Sequence, residues 1–166
     1  MMKAGHGRRS GTSAATKKDQ AMTDFVIAGA QVYLPEDVVE TTVRISQGQI
    51  AEIGGPATGA PVVEGRGLIL APALVDIHGD AFERQIMPRP GVFFPMEAAI
   101  LETDRQLAAN GIATAYHALT LSWEPGLRAV SRGEAFVDAL ERLGPRLTVE
   151  NRIQLRWETF CHEAHP

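Results

Sequence analysis

The chain has 166 residues, of which 45% are hydrophobic, 22% charged and 6% aromatic, the make-up of an ordinary globular protein rather than a disordered one. Its net charge of −4 is unevenly spread: Lys3, Arg8, Arg9, Lys17 and Lys18 against Asp19 make residues 1–22 +4 and leave −8 for the rest. An acidic body argues against generic nucleic-acid binding. The longest apolar stretch, Leu68 to Val75, is broken by Pro72 and falls far short of the ~20 residues of a membrane helix.

The first 22 residues have no aromatics and no helical periodicity, so they read as a disordered basic tail rather than as an arm that grips nucleic acid. They also lack the apolar core of a secretory signal, which places the protein in the cytoplasm. Cys161 is the single cysteine. One sulfur supports neither an internal disulfide framework nor a Cys-only zinc site, so any metal must be held by histidines and carboxylates.

Residues 23–70 carry short strand signals. DFVIAGAQVYL and VVETTVRIS are followed by Gln47-Gly48 and QIAEIG, and Val43, Ile45, Ile50 and Ile53 mark half-buried antiparallel strands around a tight turn. GGPATGAP is turn material. Together these segments predict a small sheet.

Residues 71–166 change character. Leu68 to Leu70 and Leu74 to Ile77 lack alternation, which predicts a strand buried on both faces, as in a parallel sheet covered by helices. Met96, Ile100, Thr103 and Leu107 recur at spacings of four, three and four, which places them on one helical stripe between Pro95 and Gly111. IATAYHALTL reads as the next strand. Ser131 and Glu134 form a capping box ahead of a helix bearing Phe136, Val137, Leu140 and Leu143, which Gly144-Pro145 ends. RIQLRWE is a third strand. Strand, helix, strand, helix, strand predicts parallel βα units in an α/β fold.

The chemistry concentrates at APALVDIHGD, an apolar strand that delivers His78 and Asp80 at its end. Side chains two apart on a strand share a side, so an imidazole and a carboxylate can converge on one cation there. Catalytic residues of βα barrels sit at such strand ends. Glu158 ends the third strand. Arg84, Arg89, Arg105 and Arg128 could meet phosphate; Glu83, Glu102 and Glu124 are the competing ion-pair partners, and Arg105 is assigned to such a pair on its helix. His117 reads as packed or hydrogen-bonded, and Cys161, His162 and His165 as part of a tail without fixed geometry.

The elements G-x-I-x-x-I-G and P-x-L-V-D-I-H-x-D, together with HGDAFERQIMPRPGVFFP, DRQLAANGIATAYHALTLS and GLR, resemble the metal-dependent amidohydrolase superfamily. Within it they are most similar to the phosphonate-metabolism branch, the ribose methylphosphonate triphosphate diphosphatases, which have H-x-D where most of the superfamily has H-x-H. The resemblance spans roughly residues 24–160. Ala73 stands where the superfamily usually has glycine.

The resemblance implies a β-sandwich lobe followed by the first strands and helices of an incomplete (β/α)8 TIM-type barrel. It implies a divalent metal (zinc, manganese or iron) on His78, Asp80 and Glu158, with Arg89, in the PRPG loop, on the substrate's phosphates. The substrate that the resemblance implies is a small phosphonate ester of ribose triphosphate, cleaved to the 5-phosphate and pyrophosphate. A cyclic amide or an aminated ring is the alternative within the superfamily. Neither nucleic acid nor membrane is an expected partner, and homo-oligomerisation of the full-length protein is left open. With three barrel strands of eight, the chain is expected to be inactive alone, as a truncated product, a piece of a larger assembly or a non-catalytic remnant.

Overall fold

The computed structural model describes residues 23–164; the basic tail over residues 1–22 and His165 lie outside them. The chain divides into two compact units between Leu70 and Ala71, and the fold is mixed α/β.

The first unit is built on β1 (Phe25–Tyr33), β2 (Val38–Ser46), β3 (Gln49–Ile53), β4 (Val62–Glu64) and β5 (Ile69–Leu70). It is one five-stranded sheet, as the strand signals predict, in place of the β-sandwich lobe that the resemblance implies. The reason lies in β1: β2 pairs antiparallel on one edge, while the short β4 and β5 both pair parallel along the other edge and so lengthen one ladder. A bulge at Ala28-Gly29, where Gly29 has φ +74°, shifts the register between Ile27 and Ala30. This extra residue lets Ile27, Ala30 and Val32 reach the same small core, which they share with Val43 and Ile45.

The β2–β3 connection is a two-residue turn with positive φ at both Gln47 and Gly48, the geometry whose twist matches a hairpin. The Asp24 carboxylate accepts hydrogen bonds from the Gln47 N–H (3.1 Å) and the Ser46 hydroxyl (2.8 Å), which hold it below the usual carboxylate range. A second bulge sets Ile50 and Ile53 opposite Ile45 and Val43, reconciling a spacing of three with one sheet face. Both isoleucines are nevertheless exposed, against expectation, because β3 is the outer strand and nothing described covers it.

The second unit has β6 (Leu74–Gly79), α1 (Ala81–Ile86), α2 (Met96–Ala109), β7 (Ile112–Leu121), α3 (Val130–Leu143) and β8 (Glu150–Trp157). The strands form a parallel sheet in the order β6-β7-β8. The α2 stripe follows the periodicity: Ile100, Thr103 and Leu107 are buried, and Met96 packs against the same core. Phe82, Ile86, Ile100, Leu119, Phe136 and Leu140 gather α1, α2 and α3 onto one face of the sheet. Phe82 and Phe136 lie 4.7 Å apart between ring centres.

Two local expectations fail. Ser131 lies inside α3, whose flanking residue is Ala129 with no side-chain cap, so the Ser131/Glu134 pair is not a capping box. In β6, Leu74, Val75 and Ile77 are exposed, Ile77 to 72%, where burial on both faces was expected. Among the described residues β6 pairs on one side only, and the helices cover a single face of the sheet. No helix among the described residues is long and apolar enough to cross a membrane.

Candidate functional site

Parallel pairing brings the C-terminal ends of β6, β7 and β8 to one side, so the residues that follow them, Asp80, Ser122 and Glu158, emerge together at one end of the sheet. The end of β6 is shaped by its own carboxylate. The Asp76 side chain accepts the His78 N–H at 3.0 Å, and one extra residue enters the ladder between Asp76, which pairs with Ala115, and Gly79, which pairs with His117. A Cβ on Gly79 would stand 2.7 Å from the Asp76 carboxylate, so any larger residue in the middle of H-x-D has to displace the carboxylate that accepts the His78 N–H.

Asp80 lies beyond the strand, flanking α1 with φ −103° and ψ 3°. The strand alternation used to align His78 with Asp80 therefore stops at Gly79, where the chain turns into α1. Both residues are exposed. Glu158 follows β8; its N–H donates to the Leu121 carbonyl (3.2 Å), and its carboxylate accepts from the Ser122 hydroxyl at 2.7 Å. Among the described residues no three of His, Cys, Asp and Glu are gathered closely enough to hold a metal ion. His78, Asp80 and Glu158 are thus not assembled into a three-donor centre, and a divalent ion does not fit them as a self-sufficient set.

Arg128 is a cation in the loop that follows β7. Its guanidinium donates two hydrogen bonds to Glu83, at 2.9 and 3.0 Å. The paired Glu83, helped by the charges of Asp80 and Glu158, holds Arg128 above its ordinary value. Its carbonyl accepts the Ser122 N–H (2.8 Å), so Ser122 ties the Arg128 loop to Glu158. An opening of about 320 Å³ lies here, lined by Glu83, Met87, Glu124, Pro125, Leu127 and Arg128. The ion pairs expected as alternatives for Arg105 and Arg128 are present, with Glu102 at 3.7 Å and with Glu83. Arg89 is exposed in a turn closed by the Val92 N–H on its own carbonyl (3.1 Å).

His117 is packed, as read. It is 3% exposed, with its ring edge-on to Phe82 and Phe136 and its Nε2 2.7 Å from Asn151 Oδ1. Cys161 is fully buried in a turn whose carbonyl accepts the Trp157 indole N–H, so this segment has fixed geometry, contrary to the tail expected there. His162 is exposed.

Sequence reasoning missed Asp104, 3% exposed on α2, whose carboxylate accepts the Thr148 and Val149 N–H groups and the Asn151 amide. A charged residue beside Arg105 on a helix ordinarily reads as a solvated face. Its one signal was its place beside Thr103 on the buried stripe.

No protein-family model matches the chain. Among solved structures it is similar to a D-hydantoinase, with TM-score 0.54 and 19% identity, over 80% of this chain and 27% of that one. It is likewise similar to the L-hydantoinase (dihydropyrimidinase) of Arthrobacter aurescens, with TM-score 0.53 and 18% identity, again over 80% and 27%. The chain thus shares the fold of the part of these two hydantoinases that it matches. In sequence, the chain is 26% identical over 146 residues to the alpha-D-ribose 1-methylphosphonate 5-triphosphate diphosphatase of Escherichia coli (strain K12). That match takes in 86% of this chain but only 39% of the relative, so the chain spans well under half the length of the proteins it resembles.

Proposed function

We propose that this chain is the opening portion of a hydrolase acting on a ribosyl methylphosphonate triphosphate. In that reading β6, β7 and β8 begin a (β/α)8 barrel, and hydrolysis of a phosphoanhydride gives the 5-phosphate and pyrophosphate. The observation that carries it is the alignment with the diphosphatase across both units, which takes in the HGD turn and the PRPG loop. His78 and Asp80 present an imidazole and a carboxylate at the mouth, and Arg89 is the phosphate contact. Arg84 is exposed beside them; Arg105 and Arg128 are held in ion pairs. A divalent ion at this mouth would need donors besides His78 and Asp80.

The test is calorimetric titration of the chain with the ribosyl methylphosphonate triphosphate and, in parallel, with hydantoin. The triphosphate should bind and hydantoin should not. Arg89→Ala should weaken triphosphate binding roughly tenfold or more, since a hydrogen bond to a charged group contributes about 1.5–3 kcal/mol. Preference for hydantoin, or full affinity in Arg89→Ala, would overturn the assignment in favour of a cyclic-amide hydrolase or a different phosphate contact.

A further inference from the structure

We propose that Thr120, Arg156 and Gln154 form an oxyanion subsite on the face of the parallel sheet that the helices leave open, and that it takes a phosphoryl or phosphonyl group. In β7, Leu119 and Leu121 pack toward the helices, so Thr114, Tyr116, Ala118 and Thr120 line the other face. Across from them in register stand Glu150, Arg152, Gln154 and Arg156 of β8. Polar side chains along this row find one another. The Thr114 hydroxyl donates to Glu150 (3.2 Å), Arg152 to the Tyr116 hydroxyl (2.8 Å), and Ser122, just beyond β7, to Glu158 (2.7 Å).

Thr120 and Arg156 are the exception. Thr120 is only 5% exposed, and its hydroxyl is the one buried side-chain polar atom without a hydrogen-bond partner among the described residues. Opposite it, Arg156 is exposed and makes no ion pair or side-chain hydrogen bond among the described residues. Glu158, the carboxylate that follows it in the row, is held by Ser122 instead. Gln154 is exposed one position down the row, its amide likewise unspent. A hydroxyl, a guanidinium fork and an amide are all donors, and the fork matches two oxygens of a tetrahedral phosphorus anion. A buried hydroxyl left unpaired is costly, and a ligand oxygen seated on it relieves that cost. The inference deepens the reading above and rests on it for the identity of the whole ligand, since the ribosyl methylphosphonate triphosphate carries such groups at both ends. The row of side chains defines the anion subsite itself.

The experiment titrates the full 166-residue chain with inorganic phosphate and, separately, with methylphosphonate at constant ionic strength. The Arg156 Nε–H and the Thr120 methyl group are followed by NMR. Both resonances should shift saturably with a common midpoint at millimolar anion. Whichever anion binds more tightly shows whether the subsite takes the polyphosphate or the phosphonate end, and either result supports it. Arg156→Gln, at an exposed position, should weaken binding roughly tenfold or more. Thr120→Val keeps the shape and removes the hydroxyl, so it should raise the urea midpoint of the free chain while weakening anion binding several-fold. No saturable shift with either anion would overturn the proposal, as would full affinity in Arg156→Gln or in Thr120→Val. A lowered urea midpoint in Thr120→Val would also overturn it, by showing that the hydroxyl has a partner within the fold. Preference for hydantoin in calorimetry with these shifts intact removes the triphosphate reading and leaves the subsite; triphosphate binding without shifts at Thr120 and Arg156 removes the subsite alone.

Discussion

The imidazole Nε2 of His117 and the side-chain oxygen of Asn151 lie 2.7 Å apart, and the Asn151 amide settles which atom donates. Its Nδ2 is spent on the Val149 carbonyl (2.7 Å) and on Asp104 (3.2 Å), so Oδ1 is the acceptor and His117 donates from Nε2 as a neutral ring. A chain of polar groups therefore runs from the buried Asp104 on α2, through the half-buried Asn151 on β8, to the buried His117 on β7. His117 in turn pairs with Gly79, the glycine between His78 and Asp80. The local geometry of the HGD turn is backed by this chain.

Burial, the dominant cause, pushes the His117 imidazole below its ordinary 6.5; the Asn151 bond and the charges of Asp76 and Asp104 oppose it. The unfolded chain thus takes up a proton at a higher pH than the folded one. Stability is full above about 6.5 and falls as the pH drops below it. The melting temperature is expected to decline between pH 7 and pH 5. In His117→Gln, which keeps a donor for Asn151 but cannot titrate there, the decline should be clearly shallower. An unchanged slope would show that other groups control the acid sensitivity.

Asp104 should matter more for stability than any carboxylate on the surface. Asp104→Ala strands the buried Val149 N–H, while the Thr148 N–H, on an exposed residue, can turn to water; an unsatisfied buried donor costs about 1–3 kcal/mol. A loss of about 1–3 kcal/mol in urea unfolding is expected, with Asp104→Asn less damaging because one acceptor oxygen remains. Glu97→Ala is the control: its ion pair with Arg142 is exposed on both sides and screened by solvent, so its loss should leave the urea midpoint unchanged.

These residues also show where the sequence was legible. IATAYHALTL is β7 residue for residue, because β-branched and aromatic density between Gly111 and the polar loop after Leu121 leaves little choice of element. The α2 stripe and the Gln47-Gly48 turn were legible for the same reason: periodicity and turn chemistry are local. The bulges at Ala28-Gly29 and before Gly79 were not, since a register slip appears only once a partner strand is in place. The six-residue α1 is too short to show a period. Asp104 draws its meaning from partners 44 to 47 residues away. At the site, the place of His78 and Asp80 beside a strand end was legible, but they do not gather with Glu158, whose carboxylate is held by Ser122, a partner that no motif marked.

The hairpin turn offers a gain. Gln47 has φ +50° and Gly48 +74°, and a side chain at positive φ is tolerated best by asparagine. Gln47→Asn is expected to stabilise the chain by ~0.5 kcal/mol, while Gly48→Ala should cost about 1–2 kcal/mol through the left-handed backbone penalty. Both are read as shifts of the urea midpoint at constant slope. A stabilising Gly48→Ala would show that the turn is not held in this conformation.

Gly133 sets two magnitudes against each other. It lies inside α3, where glycine costs about 1 kcal/mol relative to alanine. Yet a Cβ there would meet Leu121 Cδ2 at 2.3 Å, and a side chain with no room to yield costs about 1–3 kcal/mol. What decides the sign is the surroundings of Leu121. It is half-buried and lines an apolar groove of about 340 Å³ together with Val137, Ile153 and Leu155, so its tip can swing into open space. Gly133→Ala should therefore be stabilising by up to ~1 kcal/mol. Gly133→Val, whose branched Cβ brings two more methyl groups against the same leucine, should lose more than ~1 kcal/mol. Equal destabilisation in both would mean that Leu121 is locked and that the groove is closed in solution.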